Sequence, residues 1–183
     1  MRTIFFATAL VAALTTGAFA QVHQRKVNQQ GRIANGVKSG QLTAGETKNL
    51  ENRESNLNKE IRTDRSQDGG KLTSAQKQQV NRQQNRLSNQ IYADKHNDVK
   101  QRYGNNEVDQ RRYDQQQRIS QGIASGKLNA GQTARLENKE SAINHQTWGD
   151  RSANGGNLTN NEKHQINQEQ NKVSDQIYDA KHK

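Results

Sequence analysis

The sequence predicts an all-α protein, a tandem duplication of a three-helix unit whose helices are joined by glycine turns in a thin-cored antiparallel bundle or hairpin array. Two observations carry this prediction. Residues 22–97 align with residues 108–183 at a constant offset of 86 without a gap, with 38 identities in 76 positions. Within each copy, sparse apolar residues recur at steps of eight, seven and four, which keeps one face of a helix apolar.

Four segments share this apolar spacing, and we expect the spaced apolar residues in them to form the core. Period-two alternation is absent, so strands are not expected. A chain with only 28% hydrophobic residues has few side chains with which to build a large core, so disorder is an alternative. A disordered chain, however, has no reason to repeat one apolar spacing four times. The residues are Leu42, Leu50, Leu57, Ile61, Leu72, Val80, Leu87, Ile91, Leu128, Leu136, Ile143, Leu158, Ile166, Val173 and Ile177.

The first twenty residues predict a secretory signal that is removed before folding. Arg2 gives a positive start, residues 4–14 are mostly apolar, and Ala18 and Ala20 form a small-residue cleavage site before Gln21. The apolar run is too short to span a membrane. The expected compartment is therefore the periplasm or the extracellular space.

Each copy is expected to contain three helices, which short turns force to lie antiparallel to their neighbours. The segment 98–107 reads as a linker because it holds Gly104 followed by two asparagines. An alternative is one continuous helix over about 73–123, with Gly104 inside it. The expected helices span about 22–37, 43–64, 73–97, 108–123, 129–149 and 159–181.

The helix starts carry capping boxes, in which a cap side chain and a residue three positions later bond each other's backbone amides. Thr43 with Glu46 has this spacing, and three later pairs repeat it: Thr73 with Gln76, Asn129 with Gln132, and Thr159 with Glu162. Glycines upstream suit the left-handed turn that ends a helix. They are Gly36, Gly40, Gly69, Gly70, Gly122, Gly126, Gly155 and Gly156.

Two of the glycine turns resemble the calcium loop of EF-hand proteins. Oxygen-bearing residues stand at loop positions one, three and five, with glycine at six. The usual twelfth-position carboxylate is displaced by one residue, and few carboxylates are present. We therefore interpret the turns first as the end of one helix and the start of the next, and second as weak calcium or divalent-cation sites. The candidate metal ligands are Asp64, Ser66, Asp68, Gln76, Asp150, Ser152, Asn154 and Glu162.

The whole pattern resembles a group of exported bacterial helical repeat proteins with degenerate EF-hand-like turns. Its signature reads Gly-x-x-Ser-Gly-x-Leu-Thr, then Asp-Gly-Gly-x-Leu-Thr, then Gln-Asn-x-x-Ser-x-x-Ile-Tyr-x-x-Lys-His. The first copy carries it at residues 36–43, 68–73 and 84–96, and the second at residues 122–129, 154–159 and 170–182. The resemblance implies export and a repeat architecture, and it implies no activity.

Composition and motifs limit the function. The chain has no cysteine, so no disulfide holds it together, and its net charge of +10 is spread rather than clustered. Spread charge attracts polyanions weakly and without sequence specificity. No HExxH, GxSxG, CxxC or phosphate-binding glycine loop occurs. In the second copy, Thr147 and Trp148 replace Ile61 and Arg62, and we expect Trp148 to fill the core position that Ile61 occupies.

The sequence thus predicts an exported, non-catalytic protein that presents a polar, mildly basic surface to an envelope or extracellular partner, either a protein or an anionic polymer. Weak calcium binding and a hydrophilin-like role as a stress protectant are the alternatives. We expect no cofactor apart from weakly bound calcium, no specific nucleic acid and no membrane span. Because the cores are thin, docking of the two copies or formation of a homodimer would supply the missing burial.

Overall fold

The computed structural model describes residues 16–182, which form six α-helices and no strand. Most of the predicted leader, residues 1–15, lies outside this described part of the chain. The helix bounds differ from the expected ones by a few residues at each end, apart from α1, which begins earlier. The helices are α1 Thr16–Lys38, α2 Ala44–Gln67, α3 Ser74–His96, α4 Glu107–Ala124, α5 Ala130–Ala153 and α6 Asn160–Lys181.

All four predicted capping boxes form. In the first, the backbone amide of Thr43 donates to Glu46 Oε2 at 2.9 Å, and the amide of Glu46 donates to Thr43 Oγ1 at 3.3 Å. The same reciprocal bonds begin α3, α5 and α6. Helix α4 is capped instead by Asn106, whose side chain accepts from the amide of Asp109. The caps satisfy amides that a helix start otherwise leaves unpaired.

The glycines have two separate roles, and the sequence prediction assigned only one of them. Gly40 and Gly126 adopt a φ of +70°, as a left-handed turn requires. Gly36 and Gly122 lie inside α1 and α4 and end no helix, so the expectation of a turn at these two positions was wrong. A Cβ placed on Gly36 would lie 2.6 Å from Leu42 Cγ, which shows that this glycine permits close packing.

Alanine substitutions in α1 test this distinction. Gly36→Ala is expected to destabilise the protein by about 1–3 kcal/mol, because the added methyl overpacks the core against Leu42. Gly31→Ala is the matched control, since no atom lies within 4 Å of its Cβ position and it should stabilise by about 0.5–1 kcal/mol. Urea unfolding of both variants measures the difference. Equal effects would contradict the packing role of Gly36.

The chain between α3 and α4 is extended, so the alternative of one continuous helix over about 73–123 was wrong. Helix α3 ends at His96, and Asn97 adopts an extended backbone with ψ of 173°. The Asn97 side chain donates to Glu46 Oε1 at 2.6 Å and accepts from the amide of Val99 at 3.0 Å. These bonds fix the chain in a direction that no longer follows the helix axis.

Helices α2 and α5 pack along each other over much of their length, and α1 packs along α4 in the same way. The contacts between α2 and α5 are antiparallel and reciprocal: the Cβ position of Gly45 lies 3.7 Å from Ser141 Oγ, and that of Gly131 lies 3.3 Å from Ser55 Oγ. Helices α3 and α6 cover the two outer sides, against α1 and α2 and against α4 and α5 respectively. The bundle therefore has its central seam between α2 and α5.

The spaced apolar residues are all buried, as the sequence predicted. Trp148 is the exception among the expected core positions, because its side chain is 73% exposed. The expectation that it fills the place of Ile61 was wrong. Thr147 occupies that place, is 1% exposed, and satisfies its hydroxyl by donating to the carbonyl of Ile143 at 2.7 Å.

Buried glutamines tie the outer helices to the centre with the same bonds in both halves. Gln29 Nε2 donates to the carbonyl of Gln84 at 2.7 Å, and Gln84 Nε2 donates to the carbonyl of Val22 at 3.0 Å. Gln115 and Gln170 make the corresponding bonds at an offset of 86 residues. These side chains replace part of the apolar core, since a buried amide is tolerated when it is hydrogen-bonded.

Candidate functional site

In the first EF-hand-like turn, candidate ligand residues form hydrogen bonds with other groups of the chain. Asp68 Oδ2 accepts from Gln76 Nε2 at 2.7 Å, so these two candidate ligands lie together. Ser66 Oγ donates instead to the carbonyl of Thr63 at 2.7 Å, which attaches it to its own helix. Asp64 lies within α2, where its carbonyl accepts from the amide of Asp68. The turn is thus held closed by hydrogen bonds across its base.

The second turn repeats this arrangement. Asn154 Nδ2 donates to both carboxylate oxygens of Glu162, at 2.9 and 3.0 Å. Ser152 Oγ donates to the carbonyl of Trp148, and Asp150 lies within α5. Bonds from the backbone and side chain of Thr159 lower the pKa of Glu162. Within residues 16–182 no three His, Cys, Asp or Glu side chains are grouped to hold a metal, and weak calcium binding stays a prediction.

Four glutamates lie buried in the seam between α2 and α5, and the sequence analysis missed them. Glu51, Glu54, Glu137 and Glu140 are each 0–1% exposed. A signal was available, because both copies place two glutamates three residues apart directly after the core residues Leu50 and Leu136. That spacing puts the carboxyl groups on the face that already carries the apolar stripe.

Burial raises the pKa of all four glutamates. The pKa of Glu51 and that of Glu140 rise to about 8, and those of Glu54 and Glu137 also rise. Loss of hydration is the largest cause, because a low-polarity interior disfavours the charged form. A hydrogen bond from Gln30 opposes the rise at Glu51, and one from Gln116 opposes it at Glu137. With a pKa of about 8, Glu51 and Glu140 are therefore largely uncharged carboxylic acids near pH 7.

A groove at one end of the seam has the extended segment between α3 and α4 as one of its walls, and we call it the linker groove. It holds a volume of about 630 Å³ between the start of α2, the second half of α5, and Arg112 of α4. The amide of Gln101 donates to the carbonyl of Gly40 at 2.9 Å. Arg112 Nη2 donates to the carbonyl of Arg102 at 2.8 Å. The segment is held chiefly through its backbone.

Tyr103 is the side chain that this segment directs inward. Its ring meets Tyr113 edge to face at 5.3 Å between centroids, and the guanidinium of Arg112 lies 5.2 Å from its centre. Burial raises the pKa of its hydroxyl, and the charges of Glu137 and Glu140 add to that rise. Tyr103 thus lies beside the buried carboxyl groups of the second half.

An ion-pair cluster fixes the end of the segment where α4 begins. Asp109 accepts from Arg151 Nη2 at 3.1 Å and from Asn106 Nδ2 at 2.6 Å. Burial opposes ionisation of Asp109, but the bonds from Arg151 and Asn106 and the charge of Arg112 outweigh it and lower its pKa. The linker is therefore anchored at both of its ends, by Asn97 and by this cluster.

A second groove lies at the opposite end of the seam, and we call it the open groove. It holds about 820 Å³ between α1, the second half of α2, and the residues from the end of α4 to the start of α5. Its lining includes four lysine or arginine side chains and no aspartate or glutamate. These cations are Lys26, Lys59, Arg62 and Arg135.

The two grooves are built from corresponding residues. Eight residues that line the linker groove have counterparts 86 positions away that line the open groove. The pairs are Thr43 with Asn129, Ala44 with Ala130, Gly45 with Gly131, Arg112 with Lys26, Ser141 with Ser55, Asn144 with Asn58, His145 with Lys59, and Trp148 with Arg62.

Comparison of the chain with protein-family models, with curated proteins and with solved structures gives no match. Of the helices within residues 16–182, none combines the length and apolar character that crossing a bilayer would need.

Proposed function

We propose that this protein is a tandem duplication of a three-helix unit that works as an exported, non-catalytic binding protein. It presents polar, mildly basic grooves to a partner in the periplasm or outside the cell. The proposal rests chiefly on the open groove, where four cations and no carboxylate line one concave surface. A concave wall of one charge raises the local concentration of oppositely charged partners.

The duplication is supported by the matched features of the two halves. The capping boxes, the glutamine bonds, the buried glutamates and the groove walls recur at the offset of 86 residues. The reciprocal contacts of Gly45 with Ser141 and of Ser55 with Gly131 fit a twofold relation between the halves. We propose that this relation makes the seam between α2 and α5 an internal counterpart of a homodimer interface.

Charge reversal in the open groove tests the binding role. Lys59→Glu, Arg62→Glu and Arg135→Glu together should weaken retention on an immobilised polyanion such as heparin, so that the variant elutes at lower salt. The control carries Lys71→Glu, Arg82→Glu and Arg86→Glu, three cations outside the groove. The control has the same net charge but keeps the groove intact.

The outcome separates a binding groove from a generally basic surface. We expect the groove variant to elute at clearly lower salt than the control, because clustered charges in a concave wall act together. Equal shifts in the two variants would show that retention follows net charge alone. That result would remove the support for a binding role of the open groove.

A further inference from the structure

The open groove has a counterpart within the same molecule that a segment of the chain partly fills. In the linker groove, the chain's own extended segment lies against walls that correspond to those of the open groove. Among the described residues, no extended segment holds the open groove in the same way. Gly40 shows the difference directly: its Cβ position is 2.8 Å from the carbonyl oxygen of Gln101, whereas nothing lies within 4 Å of the corresponding position at Gly126.

The linker groove shows how such walls hold a peptide. Two bonds use the backbone of the segment, at the amide of Gln101 and at the carbonyl of Arg102. Asn144 adds a bond to the side chain of Gln101 at 3.4 Å. One aromatic ring, that of Tyr103, packs on Tyr113. Backbone bonds for affinity with a side-chain contact for specificity are the general mode of recognition of extended peptides.

The open groove offers the same groups, and no segment within residues 16–182 bonds to them as the linker does. The carbonyl of Gly126 takes the place of the Gly40 carbonyl, and Gly126 is exposed where Gly40 is buried. Lys26 takes the place of Arg112 as the cation beside the buried glutamates, and Asn58 takes the place of Asn144. Val27, which replaces Tyr113, is 48% exposed and provides an uncovered apolar contact for a ring.

The open groove differs from the linker groove in charge. Lys59 and Arg62 stand where His145 and Trp148 line the linker groove, and Arg135 adds a further cation. Because no carboxylate lines the open groove, these cations are not neutralised from within its wall. A segment that carries its own carboxylates beside the aromatic residue would complement them.

We infer that the open groove binds an extended segment of a partner protein, in which carboxylates lie beside an aromatic residue. The ring packs on Val27, the backbone bonds Gly126 and Lys26, and the carboxylates face Lys59, Arg62 and Arg135. This inference deepens the proposed function, since it names the chemical class of the partner for the same groove.

A synthetic peptide based on the chain's own segment provides the probe. It copies residues 99–105 with Lys100→Glu and Arg102→Glu, so that two carboxylates lie just before the tyrosine. Fluorescence anisotropy of the labelled peptide is measured against the exported form, predicted to begin at Gln21. We expect saturable binding with a Kd below about 1 mM, and a loss of at least about tenfold when Tyr103→Ala is added to the peptide.

A blocking variant identifies the groove. Gly31 lines the open groove and its Cβ position is unobstructed, so Gly31→Phe places a ring at the wall of the groove. Gly149→Phe is the control, because Gly149 is also helical and unobstructed and does not line the groove. We expect Gly31→Phe to weaken binding at least about tenfold and Gly149→Phe to leave it unchanged.

Amide chemical shifts of the unmodified protein give a readout that does not depend on the variants. Shifts on adding the peptide should centre on Lys26, Asn58 and Gly126. Shifts centred elsewhere, or no saturation up to about 1 mM, would overturn the inference. If the Tyr103→Ala peptide bound as tightly as the tyrosine peptide, the groove would be attracting negative charge alone, and the inference would be overturned. The proposed function of the groove in attracting anions would then still stand. The proposed function itself would be contradicted by a different result, namely equal elution of the two charge-reversal variants.

Discussion

Raising the pH from 5 to 8 is expected to lower the melting temperature of this protein by on the order of 10 °C. The cause is the pair of carboxyl groups of Glu51 and Glu140, whose pKa is about 8 in the folded protein against an ordinary value of 4.5. Between these values the folded chain binds protons that the unfolded chain has lost. Stability is therefore complete below pH 4.5 and is lost as the pH rises through about 8.

The size of the effect follows from linkage. Each group weakens folding by on the order of 1 kcal/mol per pH unit within that window. The groups that face the glutamates limit the rise in their pKa, and so limit the size of this loss. Lys26 lies near Glu51 and Glu54, and Arg112 lies near Glu140. Gln30 and Gln116 donate hydrogen bonds, whereas Tyr103 contributes no charge in this range because burial raises its pKa further.

Replacing the two glutamates by glutamine isolates their contribution. Glu51→Gln with Glu140→Gln keeps the shape of the protonated acid and cannot ionise, so it should flatten the pH dependence and raise stability at pH 8. The control is Asp114→Asn with Asp175→Asn, which removes the same charge at two positions outside the buried seam. Thermal melts at pH 5, 6, 7 and 8 compare the three proteins. A control that flattens the profile equally would contradict the assignment to the seam.

A disulfide across the seam is expected to stabilise the protein strongly. Cysteines at Ser55 and Gly131 would lie in contact, because the Cβ position of Gly131 is 3.3 Å from Ser55 Oγ. The bond would close a loop of more than seventy residues, for which the loss of chain entropy in the unfolded state predicts about 4 kcal/mol. A rise in melting temperature of about 10 °C follows for a chain of this length.

The reduced form of the same variant serves as its control. Because the natural sequence has no cysteine, no other thiol competes for the bond. Melting with and without a reducing agent separates the effect of the cross-link from that of the two substitutions. A bond that forms between two molecules rather than within one would contradict the internal packing of α2 on α5.

The helices and their caps were predictable because their causes are local. A capping box such as Thr43 with Glu46 depends on residues three positions apart, and the apolar stripe depends on helical periodicity. Both signals therefore lie within one helix. The role of Gly36 was missed because its close neighbour Leu42 lies outside α1, in the turn that follows it, and the contact depends on how that turn folds back.

The candidate site depended on packing between helices, which the sequence describes poorly. Glu51 and Glu54 are buried by packing between helices, and the sequence analysis did not single them out. Trp148 read as a core residue by spacing, but position 147 faces inward and Trp148 does not. The two grooves could not be predicted from the sequence for the same reason, since each combines residues from three or more separated segments.

Cross-linking across the seam is the most direct test of the internal twofold packing. We expect that Ser55→Cys with Gly131→Cys and Gly45→Cys with Ser141→Cys both oxidise rapidly within one molecule, because the Cβ positions of Gly131 and Gly45 lie 3.3 and 3.7 Å from the two serine hydroxyls. Gly45→Cys with Gly131→Cys, the mismatched pair, should stay reduced under the same conditions. Rapid oxidation of the mismatched pair, with the two reciprocal pairs remaining as free thiols, would contradict that packing.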